Sequence, residues 1–597
     1  MVLTGAQILV EELIRHGTDT VFGYPGGTVL DIYDALYVSR KRIKHVTTAH
    51  EQGAVHAADG FARVTGRPGV VISTSGPGAT NLVTGIANAY LDSVPLVAVT
   101  GNVAAPLLGK DSFQEVDIVG VTQPIVKHNF IVHDVRKLAD TVREAFALAA
   151  SDRKGPVLVD IPKNIQRDEC EYEAGESRCQ DEVDVDGRTV QMSANGRTDA
   201  GGQEGQAGTN GRMPKAGAVA CHSENLQGKN ELPCIDRALE AIRSCERPYI
   251  YCGGGVVSAG AENEVLALSK KLSAPIGLSM MGLTAIPESY ELNLGMSGMH
   301  GKYAATLTQS KADLMIAAGV RFSDRATGDI AEYTKNCTVI HIDIDEAELG
   351  KNIPEIIELC GDAKQILRTL TDSIQEKWNE EWVKKILMYK AADNAGENAE
   401  RFSPANIIRT VRKFSKDDTV VATDVGQHQM WVMQHYGFTK PRTLLTSGGL
   451  GAMGYGLGAS IGGCLASGRN RTVLFTGDGS FGMNLTELAT AVSQGLPLTV
   501  VLLNNGTLGM VRQWQGFFYS ERYSCTTLER KTDFVALAKA FGADGCRVDS
   551  LAELEAVLDG NLPEGGPFVL DCRIDIDEKV FPMIPPGGSV KDIMIGA

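Results

Sequence analysis

The segment 477–505 carries two side chains that could hold a divalent cation. Asp478 supplies a carboxylate and Asn505 an amide carbonyl, and each follows an apolar run, TVLFT or LTVVLLN, typical of a buried parallel strand. Ligands bind at the carboxyl ends of such strands. Magnesium held by one carboxylate and neutral carbonyls takes its remaining ligands from water and phosphate, so the pattern indicates a diphosphate ligand. We expect a helix to begin near Asn484 with its positive end toward that diphosphate. Alternatively, Gly-Asp-Gly is only a turn.

Glu51 is a second candidate, because it follows the strand-like run IKHVTTA and opens a predicted helix. A carboxylate at this place stabilises the helix dipole and can cap the first turn, which is the structural interpretation. The local sequence alone favours this structural interpretation. The cation-binding segment 477–505 adds a catalytic interpretation, in which a buried glutamate exchanges a proton with the bound cofactor.

Alternating helical and strand-like segments predict an α/β protein with three doubly wound parallel-sheet domains. Between the first two lies a stretch rich in Gly, Asn, Gln and Ser, which predicts a flexible linker because it cannot bury enough apolar surface to offset its ordering entropy. The predicted segments are a first domain at 1–165, the linker at 166–232, a central domain at 233–373, a helical connection at 374–402, a third domain at 403–562 and a tail at 563–597.

The composition excludes several classes of protein. Of 597 residues 43% are hydrophobic, and no apolar run is long enough to cross a bilayer. The net charge of -16 and the absence of a long basic run argue against a nucleic-acid partner. The 12 cysteines form no CxxC pair, so we expect reduced thiols. The first residues have neither secretory nor transit character, so we expect a soluble, cytoplasmic protein with no membrane partner.

The spacing from GDG to NN resembles the thiamine diphosphate (ThDP) fingerprint, and the chain apart from the linker resembles the acetolactate synthase (acetohydroxyacid synthase) family. The matching segments are FGYPGG, HEQGAVHAADGFAR, TSGPGATN, SFQEVDIVG, PVLVDIPK, GMHG, GVRFSDRATG, DVGQHQMW, SGGLGAMGYG and LNNGTLGMVRQWQ. The resemblance implies that the first domain binds the pyrimidine of ThDP, the central domain resembles an FAD-binding domain, and the third binds the diphosphate with Mg²⁺.

The resemblance also assigns catalytic roles. Glu51 would activate ThDP, Met453 would support its bent form, Gln114 would make a polar contact, and Phe113 and Met510 would shape the apolar wall. Taken alone, Met453 is also an ordinary core methionine and Gln114 a surface glutamine. The implied ThDP-binding residues are Gly426, Gln427, His428, Gly451, Met453, Gly477, Asp478, Gly479, Ser480 and Asn505. The implied metal ligands are Asp478, Asn505 and the backbone carbonyl of Thr507.

A carboligase needs a second site for the acceptor 2-keto acid. Arg325 could fork onto its carboxylate, Trp514 could contact its methyl or ethyl group, and the resemblance adds Lys163 to the substrate-binding residues. The alternatives are a surface ion pair between Arg325 and Asp324 and a core tryptophan.

The central domain is expected to hold FAD without net redox chemistry. Gly253-Gly254-Gly255 can admit a pyrophosphate, although by itself it is equally a tight turn. The implied FAD-binding residues are Arg153, Gly253, Gly254, Gly255, Gly298, Met299, His300, Gly319, Arg321, Arg325, Asp343 and Asp362.

The resemblance implies a ThDP-dependent carboligase of branched-chain amino acid biosynthesis. It would decarboxylate pyruvate and join the hydroxyethyl unit to a second pyruvate or to 2-oxobutanoate, giving 2-acetolactate or 2-aceto-2-hydroxybutanoate. It further implies a homodimer or larger assembly with the active site at the subunit interface, and a small regulatory subunit. The alternatives are another ThDP and FAD enzyme such as pyruvate oxidase, and a non-catalytic ThDP-binding subunit.

Overall fold

The computed structural model of the chain describes residues 1–174, 233–393, 398–560, 562–563 and 565–596. These ranges form three domains, each built on a six-stranded parallel sheet with helices on its faces, so the predicted fold class is confirmed. The strands form because continuous apolar, β-branched runs are buried on both faces of a parallel sheet. Along these ranges no helix combines the length and apolar character that crossing a bilayer requires. None of the ten cysteines within them is part of a disulfide.

The first domain contains eight strands and eight helices. The strands are β1 (Val2–Thr4), β2 (Thr20–Tyr24), β3 (Lys44–Thr47), β4 (Gly69–Ser73), β5 (Leu96–Asn102), β6 (His128–Ile131), β7 (Pro156–Pro162) and β8 (Glu169–Glu171). The helices are α1 (Gly5–Arg15), α2 (Leu30–Val38), α3 (Glu51–Thr65), α4 (Pro77–Asn81), α5 (Val83–Leu91), α6 (Ile118–Thr122), α7 (Leu138–Ala150) and α8 (Lys163–Arg167). The sheet order is β3-β2-β4-β5-β7-β6, and β1 pairs antiparallel with β8.

The central domain has the sheet order β11-β10-β9-β12-β13-β14. Its strands are β9 (Pro248–Cys252), β10 (Ile276–Leu278), β11 (Asn293–Met296), β12 (Leu314–Ala318), β13 (Thr338–Asp343) and β14 (Ile357–Cys360). Its helices are α9 (Pro233–Ser244), α10 (Gly254–Ala259), α11 (Glu262–Leu272), α12 (Tyr303–Lys311), α13 (Asp324–Thr327), α14 (Ile330–Tyr333) and α15 (Ala363–Asp372), and the next helix, α16 (Glu380–Ala392), lies in the segment predicted as a helical connection. The strand order reverses between β9 and β12, the usual place for a ligand in such sheets.

The third domain has the order β16-β15-β17-β18-β20-β19, the same relative order as the first sheet. Its strands are β15 (Val421–Thr423), β16 (Leu444–Leu445), β17 (Thr472–Gly477), β18 (Leu498–Asn504), β19 (Asp544–Val548) and β20 (Phe568–Arg573). Its helices are α17 (Pro404–Lys413), α18 (Gln427–His435), α19 (Tyr455–Ala466), α20 (Asp478–Asn484), α21 (Glu487–Ser493), α22 (Gly509–Phe518), α23 (Phe534–Ala540) and α24 (Leu551–Gly560).

Three sequence-based boundaries need correction. The third domain extends past residue 562, because β20 pairs with both β18 and β19 and lies inside the sheet. The helix expected near Asn484 already begins at Asp478, directly after β17. The first domain extends past residue 165, because β8 pairs with β1. The rest of the predicted linker, 175–232, lies outside the described residues.

Helices α3 and α19 join the first domain to the third. A Cβ on Gly60 would overlap the backbone of Ala459, and one on Gly462 would overlap the backbone of Ala57. Small residues on both helices therefore allow their backbones to approach closely. A single hydrophobic core runs across this contact and includes Ala54 and Ala58 of α3. The two domains are thus packed as one unit by a long-range contact that neither helix shows in its own sequence.

Candidate active site

The predicted cation ligands lie at the carboxyl edge of the third sheet. Asp478 is the first residue of α20, its side chain is buried, and Oδ1 has no hydrogen-bond partner among the described residues. Burial raises the pKa of Asp478 to about 6, although hydrogen bonds from the backbone N–H groups of Asp478 and Asn505 act to lower it. An orphaned, buried carboxylate oxygen on this edge fits a cation ligand, because an unpaired buried charge is otherwise costly.

Asn505 follows β18, the neighbouring strand of the same sheet. Its Nδ2 donates to Oε1 of Gln427 at 3.2 Å, and its Oδ1 accepts the Thr507 N–H at 3.3 Å. The described residues contain no group of three or more His, Cys, Asp or Glu side chains that could hold a metal. One carboxylate with amide oxygens therefore fits magnesium only if the bound diphosphate and water supply the remaining oxygens.

The remaining predicted ThDP-binding residues surround this edge. Gln427, His428 and Ser480 are buried, and Ser480 Oγ donates to the Val425 carbonyl at 3.0 Å. His428 Nε2 is buried without a partner among the described residues, and burial lowers the pKa of this imidazole to about 3, so it is neutral. Such an orphaned nitrogen at the carboxyl edge of the third sheet fits a polar ligand.

Glycines and one methionine line the same edge. A Cβ on Gly479 would stand 2.7 Å from Cδ2 of Leu508 and 3.8 Å from Cε of Met453, so Met453 lies over the Gly-Asp-Gly turn. Gly451 has a φ of 70°, a left-handed conformation that favours glycine. Gly426 and Gly477 precede α18 and α20 as their N-cap residues. The structure thus brings together the predicted diphosphate residues of the third domain.

Glu51 occupies the first position of α3, as predicted. It is buried, and Oε2 accepts a hydrogen bond from Asn81 Nδ2 at 2.9 Å. The N-cap of α3 is His50, whose Nδ1 accepts the Gln52 N–H at 3.0 Å, so the capping role suggested for Glu51 belongs to its neighbour. This leaves Glu51 at the carboxyl edge of the first sheet with a side chain that the helix end does not require.

Of the predicted substrate and catalytic residues of the first domain, Phe113 and Gln114 lie in the segment between β5 and α6, whereas Lys163 is the first residue of α8. Phe113 is 87% exposed, so it does not line an enclosed apolar wall among the described residues. Gln114 has a φ of 60° and packs against Gly76, where an added Cβ would stand 2.8 Å from the Gln114 carbonyl oxygen. Lys163 Nζ donates to the Gly27 carbonyl at 2.8 Å. The roles given to these residues stay predictions.

Arg325 and Trp514, which belong to different domains, do meet. The guanidinium carbon of Arg325 lies 5.3 Å from the centroid of the Trp514 ring, and Arg325 Nε is 3.7 Å from Asp324 Oδ2. The indole Nε1 of Trp514 is buried without a partner among the described residues. Met510, also on α22, is partly buried. A cation, an aromatic face and a free N–H thus converge at one place, which suits a small carboxylate with an apolar tail.

The predicted FAD residues cluster at the reversal point of the central sheet. A Cβ on Gly255 would stand 2.6 Å from Cα of Gly319, and one on Gly253 would overlap the Gly319 carbonyl. Gly254 begins α10 directly after β9. These glycines are therefore required by the close approach of two strand ends, whether or not a pyrophosphate also binds there.

The loop between β11 and α12 brings further residues to this place. The Met299 N–H donates to the Arg325 carbonyl at 2.8 Å, and Gly298 has a φ of 113°. His300 is buried, with Nδ1 lacking a partner among the described residues, and burial lowers its pKa to about 4. Orphaned nitrogen in a glycine-rich cradle fits a bound cofactor.

The other predicted FAD residues have structural partners. Arg153 pairs with Asp345 at 3.0 Å and Glu348 at 2.8 Å, joining the first and central domains. The N-cap of α15 is Asp362, which accepts the Gln365 N–H at 2.9 Å.

Two of these residues adjoin other domains or loops. Arg321 accepts a hydrogen bond on its carbonyl from Asn352 and lies beside Gly449 of the third domain. Burial raises the pKa of Asp343 to about 6, although its carboxylate accepts the Asp345 N–H.

Sequence reasoning missed two buried acids. Glu487 accepts hydrogen bonds from the backbone N–H groups of Ala49 at 3.2 Å and His50 at 2.9 Å, so it anchors the approach to Glu51 from the third domain. Asp424 accepts from Gly456 N–H at 2.8 Å and from Thr476 Oγ1 at 2.6 Å. The position of Asp424 directly after a strand was a usable signal, but Glu487 resembles any acidic residue at a helix start.

Three protein-family models match the chain in succession. The thiamine pyrophosphate enzyme N-terminal TPP-binding domain matches residues 3–121, the central domain of these enzymes matches 235–370, and the C-terminal TPP-binding domain matches 424–572. Each match falls on one of the three sheets, and together they cover more than half of the chain. The chain belongs to the thiamine pyrophosphate enzyme family, whose cofactor is ThDP.

Within that family the chain groups with the acetolactate synthase large subunits. It is 40% identical over 607 residues to the acetolactate synthase isozyme 3 large subunit of Escherichia coli (strain K12), covering 99% of this chain and 98% of that protein. The acetolactate synthase large subunit of Corynebacterium glutamicum is 40% identical, covering 99% and 90%. The probable acetolactate synthase large subunit of Methanocaldococcus jannaschii is 39% identical, covering 99% and 95%.

Proposed function

We propose that the protein is the catalytic subunit of an acetolactate synthase. It decarboxylates pyruvate and transfers the resulting two-carbon unit to a second pyruvate or to 2-oxobutanoate, giving 2-acetolactate or 2-aceto-2-hydroxybutanoate. The observation that carries this proposal is the match to acetolactate synthase large subunits through all three domains. The meeting of Arg325 and Trp514 supports an acceptor site of the kind that a carboligase needs.

We further propose that the cofactors are ThDP with Mg²⁺ and a non-redox FAD. ThDP supplies the electron sink for the decarboxylation when it is bound. Asp478 and Asn505, with the Thr507 carbonyl, would hold the metal, and Gln427, His428 and Ser480 would contact the diphosphate. Glu51 would exchange a proton with the cofactor's pyrimidine, and the buried surroundings of the third-sheet edge would exclude water. Gly253, Gly255, Gly319 and His300 would receive FAD.

The assembly in this proposal is at least a homodimer, with a small regulatory subunit in addition. The orphaned Asp478 oxygen lies in the third domain, whereas Glu51 hydrogen-bonds within the first. Phe113 is 87% exposed and Met483, on α20, is 61% exposed, so both halves of the proposed site present apolar side chains that a second subunit would cover. The cytoplasmic location and the absence of nucleic-acid and membrane partners stay predictions from the sequence.

Product analysis tests the proposed function directly. The purified chain with ThDP, Mg²⁺ and FAD should convert pyruvate to 2-acetolactate, and mixtures with 2-oxobutanoate should also yield 2-aceto-2-hydroxybutanoate. Oxygen uptake or acetyl phosphate formation in place of acetolactate would favour pyruvate oxidase. Binding of ThDP without any product from 2-keto acids, with or without an added regulatory chain, would favour a non-catalytic subunit.

A further inference from the structure

Gln513 is a buried glutamine on α22 whose amide is fully used by the C-terminal tail and by one neighbour. Its Oε1 accepts the Val580 N–H at 2.9 Å, and its Nε2 donates to the Val580 carbonyl at 3.1 Å and contacts Met583 Sδ at 3.5 Å. A backbone N–H can only donate and a backbone carbonyl can only accept. The tail backbone therefore determines which way the Gln513 amide faces.

The orientation of the Gln513 amide also determines the orientation of the Gln427 amide. Because Gln513 presents Oε1 on this side, Gln427 must turn its Nε2 toward it, at 3.0 Å. The Glu578 carbonyl, also in the tail, accepts from the same Nε2 at 2.7 Å and enforces the same orientation. Gln427 is buried, so reversing its amide would leave two acceptors facing an oxygen.

The Gln427 amide in turn determines the orientation of the Asn505 amide. With Nε2 of Gln427 directed at the tail, Oε1 faces Asn505 and accepts its Nδ2 at 3.2 Å. The Thr507 N–H on the other side donates to Asn505 Oδ1 at 3.3 Å. Nδ2 is thus committed to Gln427, whereas Oδ1 keeps a second lone pair that a cation could use. Only the oxygen can bind a hard cation.

We propose that Gln513 is a positioning residue that couples docking of the tail segment 578–583 to the orientation of Gln427 and Asn505. The proposal rests on the proposed function, since it takes Asn505 as a metal ligand and Gln427 as a diphosphate contact. Beyond residue 583 the tail is tied to the central domain, where Ile584 N–H donates to the Met299 carbonyl at 2.8 Å. A docked tail therefore orients Gln427 and Asn505 at the carboxyl edge of the third sheet before the cofactor binds.

Two variants at Gln513 test the coupling. Gln513→Glu keeps an acceptor for the Val580 N–H but offers no donor to the Val580 carbonyl, and Gln513→Met fills the volume without a buried charge or an amide. Both should raise the Kd of Mg²⁺ and ThDP for the cofactor-free protein about tenfold, the effect of losing one well-placed hydrogen bond. Both should also speed proteolytic cleavage of the tail. Calorimetric titration and limited proteolysis measure the two effects independently of turnover.

The control is Arg512→Leu on the same helix. Arg512 pairs with Asp577 of the tail at 2.9 Å and lies over the Tyr523 ring, and among the described residues it forms no hydrogen bond with Gln427. It should speed tail cleavage while leaving the Kd within about twofold of wild type. Equal Kd losses in Arg512→Leu and Gln513→Met would show a general effect of a loose tail and overturn the coupling.

A double variant at Gln513 and Gln427 tests whether the effect of Gln513 is transmitted through Gln427. If the effect passes through Gln427, then Gln513→Met should add little to the Kd loss already caused by Gln427→Met, because the two changes break one chain of contacts. Additive losses, or an unchanged Kd in both single Gln513 variants, would overturn the proposal. Failure of the wild-type protein to bind Mg²⁺ and ThDP would instead refute the proposed function.

Discussion

The guanidinium of Arg325, from the central domain, stacks near the indole of Trp514, from the third, with 5.3 Å between the guanidinium carbon and the ring centroid. The two residues are 189 positions apart, from 325 to 514, and α13 and α22 bring them together. The Arg325 side chain stays 58% exposed, so it can still bind a carboxylate. The arrangement lets one small ligand contact both the charge of Arg325 and the apolar face of Trp514.

Arg325→Lys should weaken binding of the acceptor 2-keto acid. Lysine keeps the charge but loses the planar fork and the stacking on Trp514. We expect the KM for the acceptor to rise about 10-fold to 100-fold, the range for a lost hydrogen bond to a charged group, with the rate of pyruvate decarboxylation changed far less. Steady-state kinetics with labelled 2-oxobutanoate measures this. The control is Arg368→Lys, in an exposed pair with Glu264, and equal KM values in both variants would refute the role of Arg325.

Trp514→Leu should change the choice between acceptors. The indole offers a flat apolar surface, and one methylene of 2-oxobutanoate resting on it is worth about 1–3 kcal/mol. We expect the ratio of 2-aceto-2-hydroxybutanoate to 2-acetolactate to fall about 10-fold in competition assays. A product ratio equal to that of wild type, at normal total turnover, would remove Trp514 from the acceptor site.

Glu51→Gln should abolish turnover while ThDP still binds. Glutamine can keep the hydrogen bond from Asn81 through its carbonyl oxygen, so the local structure is retained. It cannot exchange a proton with the cofactor, and loss of a general acid–base group typically lowers the rate about 10²–10⁴-fold. Initial rates and calorimetric ThDP titration check the two halves of the statement. Normal activity in this variant would contradict the assignment, whereas Gln52→Glu on the same helix serves as a control.

Arg63→Met should destabilise the contact between the first and third domains. The Arg63 side chain is 7% exposed and pairs with Asp59 at 2.6 Å and with Asp92 at 2.8 Å. Asp92 also accepts the N–H groups of Gly448 and Gly449. Removing the cation leaves buried carboxylates unpaired, at a cost of about 3–5 kcal/mol.

Thermal unfolding measures the effect of this change. The Tm of Arg63→Met should fall by several degrees, whereas Arg136→Met, which breaks an exposed pair with Asp134, should leave it unchanged. Equal Tm values for the two variants would show that the buried cluster contributes nothing.

Asp343→Asn should remove a pH-dependent loss of stability. The pKa of Asp343 is raised by burial to about 6, above the value of about 3.9 in an unfolded chain. The folded state therefore binds the proton more tightly, so the contribution of this group is present below about pH 4 and is lost as pH rises through about 6. The amide does not titrate and can still accept the Asp345 N–H, which Asp343 Oδ1 accepts at 3.0 Å.

Thermal unfolding of the cofactor-free protein between pH 4.5 and 7.5 tests this. Relative to wild type, Asp343→Asn should gain on the order of 2–3 kcal/mol toward the upper end of that range. The exposed Asp19→Asn provides the comparison. A difference from wild type that stays constant with pH would show that Asp343 does not titrate in this window.

Local patterns in the sequence determined much of the fold and of the candidate site. Buried parallel strands read as continuous apolar runs, and the placement of Asp478 at a strand end and Glu51 at a helix start follows from adjacent residues alone. Such features depend on interactions within a few positions, so they can be recognised before the chain is folded. The end of the third domain could not be predicted in this way. β20 comes after a helix and a turn, and its place in the sheet is set by pairing with β18, which is distant in the sequence.

Only the tertiary structure decided which side chains share a partner. Glu487 holds the backbone before Glu51, Arg325 reaches Trp514, and Gln513 takes its orientation from Val580. No local pattern marks these residues, because a buried polar side chain acquires its role from whatever the packing of separate domains places within hydrogen-bond distance. The sequence specifies the residue types, but contacts between segments far apart along the chain determine the directions in which their donors and acceptors point.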